Sequence, residues 1–211
     1  MERGRPRIFD EEQALDAALQ VFWRNGYQAA SLAELTAAMG ISKPSMYAAF
    51  GNKEQLYLQA LQRYQQQQLS RHADALAREQ DLTAALRSFL RSVADMVVTG
   101  PGRPGGCMVV TSAVSCDLTR LPAPIVNALS ETVHRSTFEL LETRLDKAVA
   151  QGQLPDTIDI RQLADYFASL MSGMAVMAKL GADRQRLYGV IEQALLSLPV
   201  NRMRLNDYLR Q

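Results

Sequence analysis

Several residue types on which chemistry depends are scarce in this chain. Two cysteines, Cys107 and Cys116, among 211 residues do not make the disulfide framework of a small secreted domain. A reducing cytoplasm is the compartment they fit. Two histidines, His72 and His134, stand far apart on expected helix faces and read as surface residues, and no His-Glu-x-x-His spacing offers a metal site. There is no glycine-rich phosphate loop and no nucleophile elbow. Catalytic residues, metal ligands and cofactors are therefore all expected to be none. Apolar runs stop short of the roughly eighteen residues of a membrane span, and the acidic stretch after Arg7 is unlike a signal peptide. Charge of one sign is missing too: 23 Lys+Arg against 22 Asp+Glu leave a net charge of +1. Many nucleic-acid-binding domains are far more basic. Strand-like alternation is nowhere sustained. What remains is an all-α chain, 47% hydrophobic, large enough to bury a substantial core in one or two domains.

The densest signal lies in residues 31–53. Ser31 precedes Glu34 by three positions, the capping box in which each side chain satisfies the other's free backbone N–H. Leu32, Leu35, Ala38 and Met39 then recur at helical spacing, and Gly40 supplies a left-handed stop. Ser42 caps a second helix with Pro44 in its first turn, where a missing N–H costs little. Met46 and Phe50 point inward on that helix, leaving Lys43, Ser45, Tyr47 and Ala48 outward. Two short helices meeting at a tight glycine turn form a helix-turn-helix, whose second helix enters the DNA major groove. Arg3, Arg5 and Arg7 alternate on an N-terminal arm without apolar periodicity, suited to the minor groove or to phosphates. Lys53 opens a further helix whose N-terminal amides are placed to meet a phosphate.

The order of arginine-rich arm, long first helix, Gly26-Tyr27, the Ser31 cap, Gly40-Ile41-Ser42-Lys43, then Tyr47, Phe50 and Lys53-Glu54-Gln55-Leu56 resembles the TetR family of bacterial transcriptional regulators. The match departs at Ala48-Ala49, where many members carry bulkier residues. The resemblance implies an all-α homodimer with an N-terminal DNA-binding domain and a C-terminal domain that binds an inducer. It assigns Lys43 to base edges or phosphate and the Tyr47 hydroxyl to phosphate. The expected interface is Arg3, Arg5, Ser31, Ser42, Lys43, Pro44, Ser45, Tyr47 and Lys53. The expected domains are 1–52, the DNA-binding head with its arm, and 53–211, for sensing and dimerisation.

Beyond the head, periodicity predicts helices over 53–78 and 82–98, a Gly/Pro loop over 100–106, a short apolar segment over 107–113 and one long helix ending near 151. The glutamines at 65–68 read as a solvated helix face. From Ile160, one seam of large residues (Leu163, Phe167, Leu170, Met174, Met177) runs beside a seam of mostly small ones (Ala164, Ala168, Met171, Ala175, Ala178, with Gly173 adjacent). Either this helix is packed on both sides within its own domain, or the small seam lets a partner helix approach. Leu187, Ile191, Ala194 and Leu198 then offer a matching stripe on the last helix, giving a twofold four-helix bundle.

If the resemblance holds, an inducer pocket is expected among Phe89, Met96, Cys107, Met108, Thr111, Phe138, Phe167, Met171 and Met174, where methionines adapt to irregular ligands. Cys107 follows Gly105-Gly106 at the start of a short helix, with Arg103 near, which favours a thiolate. The stretch is similar to a Gly-Cys-Leu-like motif in a subset of TetR regulators, some of which sense electrophiles or oxidants there. A small buried thiol that merely packs is the other reading. The function expected is a ligand-responsive regulator, a repressor by family habit, released from a palindromic operator by a small-molecule or electrophile inducer. A helical enzyme and a structural interaction protein are the alternatives, and salt-dependent binding to duplex DNA separates both from the regulator.

Overall fold

The structure, a computed structural model, describes residues 9–100, 104–114, 118–133 and 137–200. Arg3, Arg5, Arg7, Arg103, Cys116 and His134 lie outside the described residues. Among the described residues ten α-helices run in order: α1 (Glu11–Ala29), α2 (Leu32–Met39), α3 (Lys43–Phe50), α4 (Lys53–Ala77), α5 (Leu82–Val97), α6 (Met108–Val114), α7 (Ala123–Val133), α8 (Glu139–Ala150), α9 (Ile160–Lys179) and α10 (Arg184–Leu195). No strand occurs among the described residues. None of their helices is long and apolar enough to cross a membrane.

Local sequence explains the boundaries. Asp10 caps α1 by accepting from the Glu12 and Gln13 amides, and Asp81, Asp159 and Asp183 cap α5, α9 and α10 in the same manner. Gly26, at φ 71° and ψ −179°, breaks the helical path inside α1, so the turn before α2 begins there. The long helix expected up to residue 151 is instead two, α7 and α8, with residues 134–136 between them outside the description. The apolar period carries on through both, which is why the sequence reads as one.

α4 is the common wall. It packs on α1 on one side and on α5 and α7 on the other. Tyr57 of α4 meets Phe22 and Tyr27 edge-on, with ring centroids 5.0 and 5.3 Å apart. Arg63 of α4 pairs with Asp16 of α1. In the C-terminal half, α5 lies against α4, α9 and α10. Glu192 on α10 receives Arg87 and Arg91 from α5 at 3.1 and 2.8 Å.

Burial revises the expected dimer seams. Ala164, Ala175 and Ala178 are buried inside the protomer beside Phe167 and Met174, so the small seam faces the core. Leu187, Ile191, Ala194 and Leu198 are likewise turned inward. The outward face of α9 carries Tyr166, Ser169, Gly173, Val176 and Leu180, and that of α10 carries Gly189, Gln193 and Leu196. Leu180 is 83% and Leu196 71% exposed, values that place large apolar side chains in water. The sequence pattern shows two seams but not which one the protomer covers.

Candidate nucleic-acid interface and sensor cavity

The α2–α3 pair is held by its own caps. Ser31 Oγ accepts from the Glu34 amide at 3.1 Å, and Glu34 Oε2 accepts from the Ser31 amide at 3.0 Å. Gly40 adopts φ 66° and ψ 25°, the left-handed conformation that closes α2 at no Cβ cost. Ser42 Oγ accepts from the Ser45 amide at 3.2 Å and lies 2.8 Å from Ser45 Oγ. Below, Leu35, Met39, Met46 and Phe50 are buried, and Phe9 covers Phe50 with ring centroids 6.3 Å apart. Ala38, expected on that inner face, is exposed.

The outward face of α3 presents Lys43, Pro44, Tyr47 and Ala48, with Ser45 half-buried. Tyr47 is 44% exposed although it is a large ring on a short helix, so its hydroxyl is free to reach a partner. Ser31 and Ser42 are exposed at the two helix starts. Lys53 is drawn inward instead: its Nζ sits 4.7 Å over the Tyr27 ring and 3.4 Å from the Gln28 carbonyl, and desolvation lowers its pKa. Asn52 and Gln55 cap α4 reciprocally, each 2.9 Å from the other's amide. What faces outward is a polar helix face with a lysine and a phenol.

A second site lies in the C-terminal half, a cavity of about 90 Å³. α4 lends Tyr64, Gln68 and His72; α5 lends Val93, Met96 and Val97; Cys107, Val109 and Val110 come from the start of α6. Val133, Thr137, and α9 with Ala168, Met171 and Ser172 close it. Of the residues expected there, Met96, Cys107 and Met171 line the cavity. Phe89, Met108, Thr111, Phe167 and Met174 are instead fully packed in the surrounding core, and Phe138 is partly buried against it.

Two expectations about polar residues are reversed. His72 is not on the surface: it is buried, stacked edge-on against Phe89, with Nδ1 3.0 Å from Ser92 Oγ. Burial, helped by Arg71, lowers its pKa to about 4, so the ring is neutral at physiological pH. Gln68, at the end of the supposed solvated run, is buried as well. A sequence signal existed. Tyr64, Gln68 and His72 are spaced four apart on α4, in register with the inward residues Leu61 and Leu76. Cys107 is half-buried, and its Sγ accepts from the Tyr64 hydroxyl at 3.2 Å. Desolvation raises the Tyr64 pKa well above its ordinary value, which keeps that hydroxyl a donor.

The two sites are joined at Trp23, the chain's one tryptophan. Its Nε1–H donates to the Gly106 carbonyl at 2.8 Å, and its ring meets the Tyr64 ring edge-on at 5.0 Å. Gly106 adopts φ +86°, and its amide also donates to the Val97 carbonyl at 2.7 Å. Lys179 on α9 adds a second link, to the Thr111 hydroxyl at 3.2 Å and the Arg24 carbonyl at 3.5 Å.

Comparison with known proteins bears on both sites. The profile described as "Bacterial regulatory proteins, tetR family" matches residues 14–60. That described as "Tetracyclin repressor-like, C-terminal domain" matches residues 82–194. The HTH-type transcriptional repressor ComR of Escherichia coli is 32% identical over 198 residues, covering 93% of this chain and 92% of that protein. The repressor BdcR of the same organism is 29% identical over 184 residues, covering 87% and 86%. Among solved structures, a cysteine-substituted TetR family regulator, CifR, in complex with 26-bp double-strand operator DNA superimposes with a TM-score of 0.85. It is 36% identical, covering 93% of this chain and all of that one.

Proposed function

The chain belongs to the TetR family of bacterial regulatory proteins, and from that membership we propose that it is a ligand-responsive transcriptional repressor acting on a palindromic operator as a homodimer. The observation that carries this is the outward face of α3, where Lys43 and Tyr47 stand free of the protomer while Ser31, Ser42 and Asn52 hold the helices around them rigid. In the CifR complex a chain of the same fold is seated on operator DNA. Its relatives are named as repressors, which favours a regulator over an enzyme. Its place of work is the cytoplasm, where the DNA is.

The reading head is residues 1–52 and the sensing and dimerising part 53–211, with α4 as the shared wall. Lys43, Ser45 and Tyr47 enter the groove, Ser31, Ser42 and Pro44 border the phosphates at the helix starts, and Arg3 and Arg5 on the arm add backbone contacts. Lys53 is committed to Tyr27 and positions α4 rather than leading the interface. The exposed apolar faces of α9 and α10 pair with those of a second copy, with Gly173 and Gly189 at the points of closest approach. An inducer in the cavity bears on Cys107, Val109 and Val110. That displaces Gly106, and Trp23 and the end of α1 move with it, which changes the spacing of the two α3 helices.

Selection of bound duplexes from a random pool is the test. A twofold-symmetric consensus, with binding that weakens steeply as salt rises, is expected; absence of salt-dependent duplex binding would sink the regulator reading. Deleting residues 1–7 should flatten the salt dependence by about one unit for each phosphate that the arm neutralises. A second route to release rests on Cys107, whose sulfur sits at the cavity wall with Tyr64 as hydrogen-bond donor. Addition of the Cys107 S–H across an activated double bond leaves an adduct at the cavity wall, where it acts on Gly106 as a bound inducer does. N-ethylmaleimide should free DNA from the wild type and not from Cys107→Ser; equal resistance of both leaves only the reversible route.

A further inference from the structure

The polar side of the sensor cavity restricts what it accepts. No Asp, Glu, Lys or Arg is among the described residues lining it. Among these described residues an ion loses hydration without meeting a counter-charge, which disfavours charged ligands. Gln68 is 6% exposed, and its Oε1 is buried with no hydrogen-bond partner among the described residues. A native fold rarely leaves such an acceptor unanswered unless something else supplies the donor.

His72, one turn along α4 on the same wall, adds a second acceptor. The Ser92 hydroxyl donates to the Phe89 carbonyl at 2.8 Å, so its hydrogen is spent. His72 Nδ1 must then be the donor in its 3.0 Å contact with Ser92 Oγ, and Nε2 of the neutral ring keeps its lone pair. The Tyr64 hydroxyl is turned to the sulfurs of Cys107 and Met96. Val93, Val97, Val110 and Met171 make the opposite side apolar.

We propose that this cavity binds a small uncharged molecule with an apolar body and one hydroxyl or N–H group, which donates its hydrogen to Gln68 Oε1. A volume of about 90 Å³ has room for roughly six water-sized groups, which sets the scale at a single ring or a short branched chain. The consequence for DNA rests on the reading of the cavity as the inducer site; the binding does not.

The full chain is titrated with phenol, toluene, benzoate and benzylamine at pH 7.5, followed by calorimetry and by the emission of Trp23, whose ring lies 5.0 Å from that of Tyr64. Phenol should bind about tenfold tighter than toluene, the worth of one hydrogen bond to an otherwise unpaired acceptor, and both ions should bind more weakly than toluene. Gln68→Leu should bring the phenol-to-toluene ratio to about one while toluene affinity stays within about threefold. If that variant does not fold, the wild-type ratio decides alone. Equal affinity for phenol and toluene would mean that water serves Gln68 and would overturn the donor; tight benzoate or benzylamine binding would overturn the uncharged class. Binding of none of the four would remove the site. Phenol is then added to the protein on labelled operator duplex. Binding without release leaves the ligand class standing and overturns the inducer reading. Release without preference for phenol over toluene does the reverse.

Discussion

The reading head and the sensor cavity satisfy their polar groups in opposite ways. Around α2 and α3 each cap is answered three residues along the chain: Ser31 with Glu34, Ser42 with Ser45, Asn52 with Gln55. At the cavity and in the core beside it the partners are distant in sequence, as in Tyr64 with Cys107 at its wall, and Tyr57 with Ser112 and Trp23 with Gly106 behind it. A locally closed unit keeps its shape whatever the rest of the protein does, and that suits a surface that must fit DNA. A unit closed only by long-range contacts changes when one of its walls moves, and that suits a sensor. Trp23 stands where the two meet.

Acid should break this contrast most strongly. Unfolded, His72 titrates near 6.5; folded, near 4, so between those values the unfolded chain binds the extra proton. Stability from the neutral buried ring is fully present above about pH 6.5. It is lost as pH falls toward 4, at about 1.4 kcal/mol per pH unit, for a total of about 3 kcal/mol. Urea melts from pH 7.5 to 4.5 should show that slope, and His72→Phe should remove most of it. An unchanged slope in the variant would place the acid sensitivity elsewhere.

Next in size is the dimer. Nothing lies within 4 Å of a Cβ built on Gly173, so Gly173→Glu leaves the protomer packed but sets two carboxylates face to face across the pair. Sedimentation should show a monomer of unchanged helical content, and operator affinity should fall about 100-fold or more as one of two linked heads is lost. A dimer that survives would move the interface off α9. A charge at Ala175, by contrast, should unfold the protomer, because that residue is buried within it.

Trp23→Phe sharpens the comparison at its joint. It keeps the aromatic bulk against Tyr64 but leaves the Gly106 carbonyl without its donor, a loss of about 1–2 kcal/mol in thermal stability. Operator affinity should change little, whereas inducer-driven release should weaken; equal release in both proteins would take Trp23 off the route. The smallest effect belongs to the reading head itself. Tyr47→Phe should weaken binding to specific and random duplexes alike by about 1 kcal/mol, read by titration at fixed salt. A loss confined to one sequence would make Tyr47 a base reader instead.

The helix-turn-helix was legible because each of its determinants is local: a cap three residues from its partner, a glycine that must turn left-handed, and Met46 and Phe50 four apart. The all-α class was legible for the same reason, from period and caps alone. The cavity was not. Met96, Cys107 and Met171 stood out by residue type, but Gln68 and His72 look like surface residues until α5 covers them, since polarity is a property of the side chain and burial of its neighbours. The two seams of α9 were equally visible in the sequence, yet only packing against α5, α8 and the Gly105–Gly106 loop determined that Ala164, Ala175 and Ala178 face inward and Gly173, Val176 and Leu180 outward. By itself the sequence determined most of the helices and the caps of the helix-turn-helix, because those follow from contacts within one or two turns, though it did not divide α7 from α8. Which faces meet, and so where the cavity and the exposed apolar faces of α9 and α10 lie, was decided by the tertiary structure, because a helix with two apolar stripes is satisfied by burying either.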